Sequence, residues 1–111
     1  MTHRCRHCEP VPEEVRRAAD LLERRWLLQI LYASHGGAVR FNEFRQVLGD
    51  IPPRTLAARL TELEEAGLLD RTVVPSRPPR VEYRLTDDGL QVKVIVDALN
   101  SWARERATAR R

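Results

Sequence analysis

No stretch of this 111-residue chain approaches the roughly 18 to 20 consecutive apolar residues that a membrane-spanning helix needs. Met1 to Cys5 are not followed by the apolar core of a signal peptide, so a cytoplasmic address with no membrane partner is expected. Lysine is almost missing: Lys93 stands alone against eighteen arginines. Arginine suits bidentate phosphate and guanine contacts better than lysine, although a genome rich in arginine codons produces the same bias. The net charge of +3 is too small to argue by itself for a nucleic-acid partner. There is no glycine-rich phosphate loop, no recognisable nucleophile–base or carboxylate pair, and the histidines number three, His3, His7 and His35. An enzyme is therefore not expected, nor a cofactor. Cysteine is confined to Cys5 and Cys8. A cytoplasmic chain rarely keeps structural disulfides, which leaves metal binding, redox chemistry or an inert arm. With His3 and His7 the pair resembles half of a zinc site, but four ligands in six residues hardly close around one ion and no second Cys-x-x-Cys exists, so no metal is expected.

What is present is an ordinary globular composition, 42% apolar and 32% charged, with a length suited to one domain. The charge is unevenly spread. Arg71 to Arg84 hold four arginines against Glu82, and Arg104 to Arg111 hold four against Glu105, so each segment carries +3 and the remainder sums to −3. The chain reads as a mildly acidic body with a proline-punctuated basic segment inside and a basic tail at the end.

Residues 1–7 read as a flexible arm. Pro12 followed by Glu13 and Glu14 opens a helix, with Val15, Ala18, Ala19 and Leu22 on one face. Trp26, Leu27, Leu28, Ile30, Leu31 and Tyr32 are apolar nearly all round, as a buried central helix would be. Gly36–Gly37 end it. Phe41, Phe44, Val47 and Leu48 mark a short third helix closed by Gly49. After the turn Asp50–Pro53, Leu56, Leu60 and Leu63 face one way along a fourth helix that Gly67 stops. The period then changes to that of strands, Leu69 to Val74 and Val81 to Leu85, joined by the loop Pro75–Arg80. Thr86–Asp87–Asp88 caps a last helix expected from about Asp87 to Arg106. Its apolar residues cover more than one stripe, so it needs a second surface besides its own domain. The expected fold is mainly α with a small β-hairpin (α+β): a winged helix-turn-helix at residues 8–106, with the N- and C-terminal helices forming a dimer interface, and a basic tail at 107–111.

Several segments carry a family resemblance in the same order. They are Arg25-Trp26-Leu27-Leu28-Gln29-Ile30-Leu31, Arg40-Phe41-Asn42-Glu43-Phe44, Ile51-Pro52-Pro53-Arg54-Thr55-Leu56 with Arg59-Leu60, Glu62-Leu63-Glu64-Glu65-Ala66-Gly67-Leu68-Leu69, Pro78-Pro79-Arg80-Val81-Glu82-Tyr83, and Leu85-Thr86 before Gly89. With Trp102 they resemble the HxlR-type winged-helix transcriptional regulators over about residues 8–106. The resemblance implies a homodimer on operator DNA, with repression the expected outcome and oxidants, electrophiles or small metabolites as effectors. The family commonly has serine where Pro52 stands, so base preference does not carry over.

Spacing turns Arg54, Thr55, Ala58 and Arg59 outward on the fourth helix, whose N-terminal half is the part that meets base edges in this arrangement. Arg40, at the start of the third helix, is a candidate phosphate contact, with a surface ion pair to Glu43 as the alternative. Arg77 and Arg80 on the wing are the strongest backbone or minor-groove candidates, while Arg71 and Arg84 could pair with Asp70 or Glu82. The dimer is expected to use Val15, Ala18, Ala19 and Leu22 with Val92, Ile95, Val96, Leu99 and Trp102. Cys8, with Cys5 beside it, resembles the family's redox-sensing cysteine before a proline; nearby Arg4, Arg6 and His7 would lower its pKa. The expectation is thus a homodimeric regulator on a pseudo-palindromic double-stranded DNA operator. The rival is a winged-helix module for protein–protein contact. With no length left for a separate effector domain, any signal is expected to act within the DNA-binding domain itself.

Overall fold

The computed structural model describes residues 8–109. The first helix, α1 (Glu13–Leu22), begins at Pro12 with Glu13 and Glu14 in its first turn, where their charge complements the helix dipole. A tight turn through Trp26, which adopts a left-handed φ of 76°, leads into α2 (Leu27–His35). That helix is the centre of the molecule: Leu27, Ile30 and Leu31 are fully buried. Gly37 leaves it at positive φ, and α3 (Phe41–Leu48) follows, with Phe44 buried. Gly49, at φ 70°, makes the turn into α4 (Pro53–Glu65), where Pro52 stands at the cap and Pro53 occupies the first helical position. Leu56, Leu60 and Leu63 fill the core as their spacing requires.

The hairpin pairs β1 (Leu69–Val74) with β2 (Arg80–Leu85) in antiparallel register, from Leu69 opposite Leu85 to Val74 opposite Arg80. The second strand starts one residue earlier than its apolar pattern suggests, because Arg80 pairs with Val74. The hairpin is bound by its backbone to the segment between α2 and α3: Tyr83 N–H donates to the Val39 carbonyl at 2.7 Å.

The single last helix expected from Asp87 to Arg106 is two helices, α5 (Asp87–Gln91) and α6 (Lys93–Ala109). At Val92 the ladder tightens: its N–H bonds to the Gly89 carbonyl three residues back, and its own carbonyl accepts from Ile95 and Val96. The two pieces have different partners. The short α5 packs on β2, whereas α6 lies on α2. Thr86 pins the junction, its hydroxyl donating to the Gly67 carbonyl and accepting from Gly89 N–H. Gly89 sits so close beneath the Leu68 carbonyl that a Cβ would collide with it.

Not every apolar stripe is covered. Val47, placed by spacing on the inner face of α3, is 62% exposed. The radius of gyration is 17.0 Å, against about 13 Å for a compact chain of this length, and the molecule extends 62 × 39 × 24 Å.

Candidate nucleic-acid interface

α3 packs against both α4 and β2, and basic groups gather between α3 and β2. Arg40, Arg45 and Arg80 line an open cleft of about 800 Å³ between α3 and β2, whose wall also includes Phe41, Asn42, Glu43, Gln46, Gly49 and Val81. The α3 end of this cleft is well ordered by its cap. Glu43 reaches back so that its carboxylate accepts the backbone N–H groups of Val39 at 3.0 Å and Arg40 at 2.9 Å. Those two hydrogen bonds, with the Arg40 charge adding to them, hold the Glu43 carboxyl below the ordinary glutamate value. Glu43 is therefore a helix cap rather than the ion-pair partner of Arg40.

Arg40 instead leans toward the wing, its Nε 4.0 Å from Glu82 Oε2. Glu82 is a carboxylate only 7% exposed, and Arg84 grips its other oxygen through Nε at 3.0 Å and Nη2 at 2.8 Å. A buried carboxylate is tolerated only when paired. Here the pairing joins the base of the wing to the start of α3 and uses the strand arginine Arg84, one of the two pairings that the charge pattern allowed. At the wing tip Arg77 and Arg80 are exposed, and the Ser76 hydroxyl donates to the Pro78 carbonyl at 2.6 Å.

On α4, Arg54 and Ala58 are exposed and Thr55 is half-buried. Arg59 departs from the outward, ligand-ready position that spacing assigned to it. Its guanidinium is hydrogen-bonded to Glu62 and to the Arg25 carbonyl, so it faces protein rather than solvent. Arg45 was missed. Its signal was weak, since it flanks the Phe41, Phe44 and Leu48 stripe of α3 one turn after Phe41, and nothing in the spacing showed that the wing closes a cleft over it.

The residues expected at a dimer interface divide. On α1, Val15 is 51% exposed, Ala18 is exposed, and Ala19 and Leu22 are half-buried; the helix has no fully buried residue. On α6, Ile95 and Trp102 are 44% and 57% exposed, and Leu99, like Val92 before the helix, is half-buried. Val96 is a correction: only 4% exposed, it belongs to the chain's own core, because α6 turns that side onto α2. Cys8 lies exposed ahead of α1 and is disulfide-bonded, while Cys5 lies outside the described residues. Among the described residues no helix is long and apolar enough to cross a membrane.

A helix-turn-helix whose second helix stands beside a two-stranded wing defines a winged helix-turn-helix protein. The chain belongs to the HxlR-like helix-turn-helix family, whose model matches residues 21–111. It is 38% identical over 80% of its length to the uncharacterised HTH-type transcriptional regulator YvaP of Bacillus subtilis, covering 82% of that protein. Other curated relatives are longer, and the chain spans 58 to 66% of their length. Among solved structures, the reduced form of the redox regulator HypR superposes with a TM-score of 0.78 at 34% identity, covering 86% of this chain and 94% of that one. The reduced form of the transcriptional regulator YodB from B. subtilis gives 0.75 at 31% identity, covering 85% and 92%.

Proposed function

We propose that this chain is a homodimeric transcriptional regulator that binds a pseudo-palindromic double-stranded DNA operator. The observation that carries the reading is the cleft in which Arg40, Arg45 and Arg80 meet between α3 and the wing. Three guanidiniums around one open groove favour a phosphodiester backbone, because each neutralised phosphate releases condensed counterions. In this reading Arg40, Arg45, Arg77 and Arg80 hold phosphates, and Arg54, Thr55 and Ala58 at the start of α4 meet base edges.

Dimerisation is supported by the exposed apolar faces of α1 and α6 and by the elongated shape they produce. A two-fold dimer would set two copies of α4 about 34 Å apart, one turn of DNA. Redox control is supported by the solved neighbours, described as a redox regulator in reduced and oxidised forms and as a diamide-treated regulator. Cys8, disulfide-bonded in this structure and joined to α1 by a four-residue segment containing Pro10 and Pro12, is the residue through which a switch between thiol and disulfide would act here.

Fluorescence anisotropy with operator duplexes across a salt series tests the DNA reading. Binding whose logarithm falls steeply with log salt supports it; weak, salt-independent binding overturns it in favour of a protein–protein module. Light scattering at micromolar concentration tests the dimer, and a monomer there removes it. Cys8→Ser should retain reduced-state affinity and lose the response to diamide; equal responses in mutant and wild type would remove redox control.

A further inference from the structure

The basic residues of α4 are Arg54 and Arg59, and their surroundings are opposite. Arg54 is in the first turn, exposed, and has no hydrogen bond or ion pair among the described residues. Arg59 is held on two sides. Its Nε donates to the Arg25 carbonyl at 2.9 Å, and its Nη1 donates to the two carboxylate oxygens of Glu62 at 3.0 and 3.1 Å. Glu62 also receives Arg24 Nη1 at 2.9 Å. The Arg59 and Glu62 side chains are only 21% and 23% exposed.

Two consecutive residues of the α1–α2 turn are therefore fastened to the middle of α4, one through its carbonyl and one through its charge. The turn is itself constrained: Leu27 N–H donates to the Arg24 carbonyl at 3.1 Å, and Trp26 holds a left-handed φ while packing against the core. For Arg59 to reach a base it would have to give up its hydrogen bonds to the Arg25 carbonyl and to Glu62. It would also leave Glu62, with Arg24 alone, next to a polyanion. Arg54 would surrender nothing, and a free guanidinium in the first turn is the group best placed to grip guanine O6 and N7 in bidentate fashion.

Resting on the DNA-binding reading above, we infer that Arg59 is a positioning residue that locks α4 to the α1–α2 turn, and that arginine readout of bases on α4 belongs to Arg54. The division is tested by selecting duplexes from a randomised pool with wild type, Arg54→Ala, Arg59→Ala and Glu62→Gln, with melting temperature and affinity measured for each. Arg54→Ala should lose the preferred base at one or more positions and bind the selected site about 5- to 150-fold more weakly, the range of one bidentate base contact, at an unchanged melting temperature. Arg59→Ala should enrich the wild-type motif, melt at lower temperature, and lose affinity for selected and unrelated duplexes in parallel. Should Arg59→Ala not fold, Glu62→Gln decides, since it loosens Arg59 without removing it and should keep the motif. A shifted motif in Arg59→Ala or Glu62→Gln, an unchanged motif in Arg54→Ala, or an unaltered melting temperature in Arg59→Ala overturns the inference. A wild-type protein that enriches no motif overturns the DNA reading itself, and that failure shows before any variant is made.

Discussion

The hub of α2, α3 and α4 buries a full core, with Tyr32 and Val47 left exposed at its edge, whereas α1 and α6 bury far less. In the hub Leu27, Ile30, Leu31, Phe44, Leu56, Leu60 and Leu63 are all fully buried. At the ends, α1 buries no residue completely and α6 buries Val96 while leaving Val94, Ile95 and Trp102 in solvent. Burial of a leucine contributes roughly 1.5 to 3 kcal/mol, so the hub accumulates its stability inside one chain. The ends leave Val15, Val94, Ile95 and Trp102 exposed, apolar surface that the proposed dimer would cover. If the proposed dimer forms, the stability of the hub should be independent of concentration and that of the ends should depend on it.

The largest expected effect lies in the hub. Leu60→Ala should cost about 2 to 5 kcal/mol in chemical denaturation, equally at low and high protein concentration. A concentration-dependent loss would mean that the hub, too, relies on a partner. Next in size, Trp102→Ala should weaken self-association on the order of tenfold in sedimentation equilibrium, as loss of a buried aromatic anchor does, and leave the unfolding midpoint of dilute protein nearly unchanged. If association is unaffected, the exposed face of α6 is not the dimer surface. Smaller again, Arg80→Ala should lower affinity for every duplex and reduce the salt slope by about 0.9, the share of one phosphate, without altering melting.

The smallest effect concerns the α3 cap at the edge of the hub. The Glu43 carboxyl is held below its usual value of 4.5, so its contribution to stability is present above that pH and is lost as pH falls through the lower folded-state value. Glu43→Gln should therefore flatten the acid side of the stability profile, below about pH 4.5, in thermal melts of mutant against wild type. Parallel profiles would show that the cap does not sense protonation.

The same boundary separates what was legible in the sequence from what was not. Each helix of the hub buries one stripe, so a period of 3.6 places Leu56, Leu60 and Leu63 correctly, and Gly49 and Gly67 mark turns because their positive φ is costly for other residues. In the last helix apolar residues occupy adjacent positions, and periodicity cannot tell which side meets the chain's own core. Val96 went inward while its neighbour Ile95 stayed out. The break at Val92 was hidden for a related reason, since residues on both sides of it keep helical spacing.

For the candidate interface, residue type and helix face could be read one element at a time. The sequence by itself determined the order of elements as far as the last helix, the inward leucines, the basic wing and the arginines at the starts of α3 and α4, because propensity, period and charge are local properties. Tertiary structure decided how those arginines are used. It joined Arg40, Arg45 and Arg80 around one cleft, covered Glu82 with Arg84, and bound Arg59 to Glu62 and to a carbonyl 34 residues away, leaving Arg54 free. A guanidinium's role depends on which acceptors lie within about 3 Å, and for long-range partners that distance exists only once the chain has folded.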